Sequence, residues 1–465
     1  MKKLMYLALA VVAATSANAQ NSNGGISEDM LQTIESSYKN TESERALSNA
    51  IQANPIKSLA LNKSNIVGDD TYFSVNVKSS GISNQKQSGR CWLFCTLNVL
   101  RAQAISKYHL GDFQFSQNYD SFWDQFEKCN LFLQSVIDCA KKPMDDRTVE
   151  WLFRNPLSDG GEFTEAADII TKYGVVPKEV MPETENSDNT GAMSGLLQRK
   201  LREDGLELRN YVAQKQTTAQ IQKHKTEMLG TIYHILVLNL GKPPVKFTWT
   251  RRDKDGKPLD TKEYTPQQFY KEFAGNDLES GYVMFINDPT REYHKLYTID
   301  FERDMYDKPN MSYINLPLDE LKKMAIASLK DSTMMYLSCD VGKELNKENG
   351  RLDMNNYDYN SLMGTKFGMD KKERIESFDS SPTHAMALMG VDLDANGNAK
   401  KWEVENSWGA DYGYKGHLIM TDEWFDNYVF RLAIAKKYIP QSALDILKQK
   451  PVKLPAWDPL FANVD

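Results

Sequence analysis

The sequence predicts an α+β protein, helical up to about residue 240 and strand-rich after 330. Three observations carry this. Long helical patterns fill the first half, one of them closed by Gly174 with Pro177 just beyond. After residue 330, five short segments read as strands: Met334–Val341, Ala385–Asp392, Lys401–Asn406, His417–Thr421 and Tyr428–Ala435. Asn396-Gly397 supplies the tight turn between two of them. Helices grouped before strands give an α+β layout rather than an alternating one. The 465 residues suffice for a large core, and length alone allows two to four domains.

The first residues stand outside that fold. Lys2 and Lys3 precede the apolar run Leu4 to Ala14, and Ala17-Asn18-Ala19 forms a small-x-small cleavage site before Gln20. This is the pattern of a Sec signal peptide over residues 1–19, cleaved after Ala19, so a periplasmic or secreted protein is expected. No Cys follows the cleavage point, so no lipid anchor is expected. No later stretch reaches the roughly 18 apolar residues that a membrane span needs, so no membrane partner is expected.

The remaining elements follow in order. Residues 20 to about 50 are polar, with a short helix after a loose start. Asp70 to Lys78 alternates as a strand, and Gly81 to Gly89 is a loop. Cys91 to Ile105 is apolar on nearly all sides, the mark of a central buried helix. Residues 116 to 140 are helical and aromatic-rich, which core packing explains. Asp159-Gly160-Gly161 breaks the chain before a helix ending at Tyr173. Ser194 to about Leu240 reads as a helical hairpin. Val245 to Trp249 and a return strand to Tyr264 flank the turn Asp255-Gly256. Thr265 caps a helix with Pro266 at its first position, and Leu318 to Leu329 is helical. The expected division is 1–19 signal peptide, 20–240 N-terminal arm and helical half, 241–330 inserted hairpin and helical region, 331–450 β-rich half, and 451–465 C-terminal arm.

Composition excludes some functions. The net charge is −7, against the concentrated basic face that phosphate binding requires, so nucleic acid is not an expected partner. The six His residues show neither ligand spacing nor HExxH, so no metal and no other cofactor is expected. Five Cys is an odd number for an oxidising compartment, leaving at least one thiol free. A reactive Cys91 accounts for the odd one. Cys95, Cys129, Cys139 and Cys339 read as small buried hydrophobes, with a Cys129–Cys139 disulfide as the alternative.

The chemistry concentrates in three places. Asn84-Gln85-Lys86-Gln87-Ser88-Gly89-Arg90-Cys91-Trp92 sets a Gln six residues before a Cys that opens a helix. Downstream stand Thr383-His384-Ala385 and Glu405-Asn406-Ser407-Trp408-Gly409. A thiol must become a thiolate to attack a carbonyl, and a helix N-terminus and an imidazolium both favour that. His384 would be the base, Asn406 would fix its tautomer, and Trp408 would keep water from their hydrogen bond. Gln85 would donate to an oxyanion beside the Cys91 backbone N–H. Read singly, each residue is ordinary: a Cys packs, a His before Ala is structural, Asn-Ser turns. Read jointly, they supply a nucleophile, a base, an orienting amide and an oxyanion donor.

These residues identify a resemblance. The chain resembles the bleomycin hydrolase and aminopeptidase C family of papain-like cysteine peptidases. The likeness runs through Asn84 to Phe94, Phe115-Ser116-Gln117, Lys128-Cys129-Asn130, Asp159-Gly160-Gly161, Lys172 to Pro177, Cys339 to Lys343, His384, Val404 to Gly409, Met420 to Trp424 and Trp457-Asp458-Pro459. The expected fold is thus the papain-like one, its helical half carrying the nucleophile and its antiparallel β half carrying His and Asn. One departure marks the branch. Small papain relatives place the His about 130–150 residues after the Cys, whereas His384 follows Cys91 by 293 residues (384 − 91). A large helical and hairpin insertion therefore separates the two halves.

The resemblance implies a cysteine aminopeptidase acting through an acyl-enzyme on peptides with free N-termini. It implies a homohexamer with inward-facing sites, and a C-terminal arm lying in the cleft. The terminal carboxylate, here on Asp465, would hold the substrate's α-ammonium, Gly160 and Gly161 would bind substrate backbone in strand fashion, and Trp408 would also belong to the substrate-binding site. The tail Leu460 to Asp465 is bulkier and more acidic than the family's usual ending. An endopeptidase with an open cleft is the alternative within hydrolases, and a nucleic-acid-binding hexamer the alternative outside them.

Overall fold

The computed structural model describes residues 24–65, 70–275 and 277–461. The signal segment, Gln20 to Asn23 and Asp465 lie outside them. The chain divides into two units, residues 1–61 and 62–465. The first carries three helices, Glu28–Ser37, Glu42–Ala53 and Ile56–Ala60. Thr41 and Glu44 form a reciprocal capping box that starts the second.

In the second unit the helix Cys91–Tyr108 is buried on nearly every side, from Trp92 through Ala104. It packs against two central strands of a large sheet and against Gln117–Asp138 and Phe163–Tyr173. Gln117–Asp138 in turn packs on Gly191–Ala213 and Thr218–Leu240, the two arms of the expected helical hairpin. Gly174 ends Phe163–Tyr173 at φ 78°, and a Cβ there would lie 2.3 Å from the Pro266 carbonyl carbon. Only glycine meets both demands.

Fourteen strands are described, β1 Val75–Asn76, β2 Phe247–Arg252, β3 Pro258–Tyr264, β4 Tyr282–Ile286, β5 Lys295–Ile299, β6 Ser312–Asn315, β7 Met335–Cys339, β8 Leu345–Asn346, β9 Arg351–Leu352, β10 His384–Leu393, β11 Ala399–Glu405, β12 His417–Thr421, β13 Val429–Ala435 and β14 Val452–Leu454. Twelve form one sheet in the order β14-β5-β6-β4-β13-β7-β10-β11-β12-β9-β8, with β1 on β10. β2 and β3 form a separate hairpin. Pairing is antiparallel across β13, β7, β10, β11 and β12 and parallel at β4–β6, β5–β14 and β9–β12. The sheet is thus mixed at its margins rather than antiparallel throughout.

The sheet does not respect the expected boundary at 330. β4, β5 and β6 span 282 to 315 yet belong to it, so only the helical arms and the β2–β3 hairpin stand apart. Tyr282 to Ile286 is a continuous apolar run buried from Val283 onward. A strand covered on both faces carries no alternation, so period-two reasoning passes over it. The strand expected over Asp70 to Lys78 is shorter, only β1. Among the described residues no helix is long and apolar enough to cross a membrane. All five cysteines are free thiols.

Candidate active site

Cys91 is the first residue of its helix. The first-turn amides of a helix have no intrahelical partner, and the backbone amides of Ala385 on β10, Trp92 and Cys91 itself favour the thiolate form. Arg90 anchors the turn before it, donating to the Ser88 hydroxyl at 3.0 Å and the Ser187 carbonyl at 2.6 Å and pairing with Glu183 at 2.9 Å. Gln85 sits on the loop that leads in. That loop is stitched to the segment after β11: Gln85 N–H donates to the Ser407 carbonyl at 2.8 Å, and Gly409 N–H donates to the Ser83 carbonyl at 3.1 Å.

His384 opens β10, opposite Cys339 at the end of β7. Asn406 follows β11, which pairs with β10. The two side chains meet with His384 Nε2 to Asn406 Oδ1 at 2.8 Å, and they are 6% and 1% exposed. Asn406 Oδ1 also accepts the Ser407 N–H at 2.8 Å. A backbone N–H only donates, so that atom is the amide oxygen, and His384 must present an Nε2–H to it. Nδ1 is then the basic nitrogen. Trp408 covers the imidazole at 4.7 Å between ring centres, braced by Tyr412 at 4.7 Å.

Burial sets the electrostatics. Cys91 keeps part of its surface open, yet burial pushes its thiol up to about 11 against the three amides. Burial pulls the His384 imidazole down to about 4, opposed by Asn406. Each shift is the cost of a solitary charge, and each shrinks when the opposite charge forms beside it. A proton passing from sulfur to imidazole creates both charges together.

A cavity of about 730 Å³ holds Gln85, Cys91, Gly160, Gly161, His384 and Phe461 on its walls. Gly161 owes its identity to Trp92, whose ring would lie 2.8 Å from a Cβ there. Trp92 donates its Nε1–H to the Asp159 carbonyl at 2.9 Å and holds this stretch in place. The Gly160 N–H bonds the Ser158 hydroxyl and its carbonyl accepts Lys128. The Gly161 N–H and carbonyl are unengaged among the described residues. Trp408 is not part of this wall, so its position suits shielding His384 rather than touching a ligand in this cavity. Asp465 lies outside the described residues. No group of His, Cys, Asp and Glu suited to a metal is found among them.

Three features were not legible beforehand. Ser407 donates its hydroxyl to Gln85 Oε1 at 2.6 Å, while Gln85 Nε2 donates to the Ser88 carbonyl at 2.7 Å. This fixes which end of the amide is nitrogen. Glu162 pairs with Arg431 and accepts the Tyr336 hydroxyl at 3.0 Å, and all three line the cavity. Arg431 also donates to the Leu460 carbonyl and lies 4.3 Å from the centre of the Phe461 ring. The chain's last described residues are thereby drawn into the cavity. Ser407 stands inside the Asn406-Ser407-Trp408-Gly409 string, but Arg431 and Glu162 carry no local signal.

The comparisons agree with the fold and the motifs. The Peptidase C1-like family matches residues 25–461. Mouse (Mus musculus) bleomycin hydrolase is 41% identical over 415 residues, covering 87% of this chain and 91% of its own. Aminopeptidase C of Lactobacillus delbrueckii subsp. lactis is 38% identical, covering 94% of this chain and 98% of its own. The crystal structure of PepW from Lactobacillus rhamnosis HN001 superposes with a TM-score of 0.91 at 39% identity, covering 94% of this chain and 99% of that one. The chain belongs to the Peptidase C1-like family, alongside bleomycin hydrolase and aminopeptidase C, and has the papain-like fold of the cysteine peptidases.

Proposed function

We propose that this chain is a thiol aminopeptidase in which Cys91 is the nucleophile, His384 the base, Asn406 its orienting partner and Gln85 an oxyanion donor. The observation that carries the reading is that His384, bonded to Asn406 at 2.8 Å, lines one cavity with a cysteine at a helix N-terminus. His384 takes the thiol proton as sulfur attacks the carbonyl carbon of the first residue. The developing oxyanion meets the second Gln85 Nε2–H and the Cys91 N–H. His384 then returns the proton to the leaving amine, and a thioester remains. Water, deprotonated by the same imidazole, attacks that thioester and releases the first amino acid and the free thiol.

Removal of single residues from the free end is supported by Leu460 and Phe461 on the cavity wall. A long N-terminal extension would have to displace them. An endopeptidase with an open cleft lacks such an obstruction. The test uses matched fluorogenic peptides with free and acetylated N-termini, on the wild type and Cys91→Ala. The free peptide should be cut, the acetylated one spared, and the Ala variant inactive though folded. Equal cleavage of both peptides would replace this reading with the endopeptidase one.

We extend the proposal to export and assembly. The basic start, apolar run and Ala17-Asn18-Ala19 support cleavage after Ala19, which N-terminal sequencing of exported protein checks. The family likeness supports a homohexamer, which sedimentation of the purified protein checks.

A further inference from the structure

A second pocket of about 130 Å³ opens beside the first, and Gly160, Gly161, Glu302 and Phe461 belong to the walls of both. Its sides are apolar, with Leu131, Phe132, Trp151, Leu152 and Phe301. Its floor is acidic, with Glu165, Glu302 and Asp304, and Asp124 stands behind. One cation answers these four acids. Lys128 Nζ lies 3.0 Å from Asp124 and 3.6 Å from Asp304, and donates to the Gly160 carbonyl. Arg303 is engaged elsewhere, by the Lys308 carbonyl at 2.8 Å and over the Tyr306 ring. Glu165 Oε2 accepts the Glu162 N–H at 2.6 Å.

Two carboxylates are left wanting. Asp304 is 2% exposed, and its Oδ2 has no hydrogen-bond partner. Glu302 makes no side-chain hydrogen bond or ion pair among the described residues, although its carboxyl borders both pockets. A buried carboxylate with too few partners is costly, and such groups are normally matched. Apolar walls beside incompletely matched acids describe a receptor for a long cationic side chain.

We propose that this pocket is a specificity subsite for the lysine or arginine side chain of the peptide's first residue, with Glu302 and Asp304 receiving the cation. The assignment rests on the aminopeptidase reading, since only then is the acyl-side residue the first one. The pocket also carries a pH signature. Burial pushes the Glu302 carboxyl up to about 7, with Lys128 opposing. Asp304 is raised by burial and then by Glu165, and Glu165 by burial and then by Glu302. The facing groups are Asp124 and Lys128 on Gln117–Asp138, Glu165 on Phe163–Tyr173, and Glu302, Arg303 and Asp304 after β5. Below pH 7 Glu302 is protonated and the subsite holds a cation weakly; above pH 7 it is ionised and the hold strengthens.

The test compares alkylation of Cys91 by lysyl and norleucyl chloromethyl ketones, read by intact mass. The two reagents differ in the ammonium and hardly in shape. Their rate ratio cancels the ionisation of Cys91 and His384 and needs no peptide turnover, so it stands apart from cleavage of the free and acetylated fluorogenic peptides, which tests the aminopeptidase reading itself. The lysyl reagent should win by about tenfold or more at pH 8, and the ratio should fall as pH drops through 7. Glu302→Gln should lower the ratio about tenfold and flatten its pH dependence, and Asp304→Asn should lower it too. A wild-type ratio near one at pH 8, which needs no variant, overturns the proposal. So does a ratio that neither substitution changes.

Discussion

At the scale of single residues, the proposed mechanism requires Cys91 and His384 to charge as a pair. His384→Ala forces the Cys91 thiol to ionise alone, near pH 11 where burial sets it. At pH 7 its thiolate fraction is then about one in ten thousand, rising tenfold per pH unit. Iodoacetamide labelling of Cys91 in that variant should be at least a hundredfold slower than in the wild type at pH 7 and should recover towards pH 10. Ser407→Ala removes the hydroxyl that fixes the Gln85 amide. Its kcat should fall about tenfold with KM little changed, because the loss is confined to the transition state. Cys91, His384, Asn406 and Gln85 were legible because each stands in a distinctive local string. Ser407, Glu302 and Asp304 were not, since an acid or hydroxyl acquires its role from what the fold packs against it.

At the scale of elements, one buried contact ties the two halves of the site. Arg101 on the central helix pairs with Glu405 at the end of β11, and each side chain is at most 1% exposed. Removing one partner strands the other. Arg101→Met alone should cost roughly 3–5 kcal/mol, and Arg101→Met with Glu405→Leu should recover much of it. Urea unfolding of the three chains measures both. Gly161→Ala drives a methyl group against Trp92, and either ring or loop must yield. The variant should keep its fold and lose most of its activity, with circular dichroism and turnover as paired readouts. The helices were legible because their caps are written locally, as Thr265 and Gln268 show with Pro266 at the first position. β4 to β6 were not, because burial on both faces erases alternation.

At the scale of the whole molecule, the C-terminal end joins the cavity through several anchors. Arg291 links Asp288 to Asp458, β14 runs parallel to β5, and Arg431 reaches Leu460. Truncation after Trp457 removes Phe461 and should open the cleft. The shortened chain should cut acetylated peptides that the full chain spares, with the same thiol inhibitor blocking both. The sequence suggested an arm from its likeness to relatives. Its anchoring was illegible, because Arg291 and Asp458 are 167 positions apart.

The imidazole opens β10 and its amide partner directly follows β11, neighbouring strands joined by the short turn at Asn396-Gly397. Their spacing is therefore inherited from sheet geometry and owes nothing to the length of chain that precedes them. Evolution can lengthen, shorten or replace the outlying helical arms and the β2–β3 hairpin without disturbing the His384–Asn406 bond. Diversity in this lineage should accordingly accumulate in those outlying segments, while the paired strands tolerate almost none.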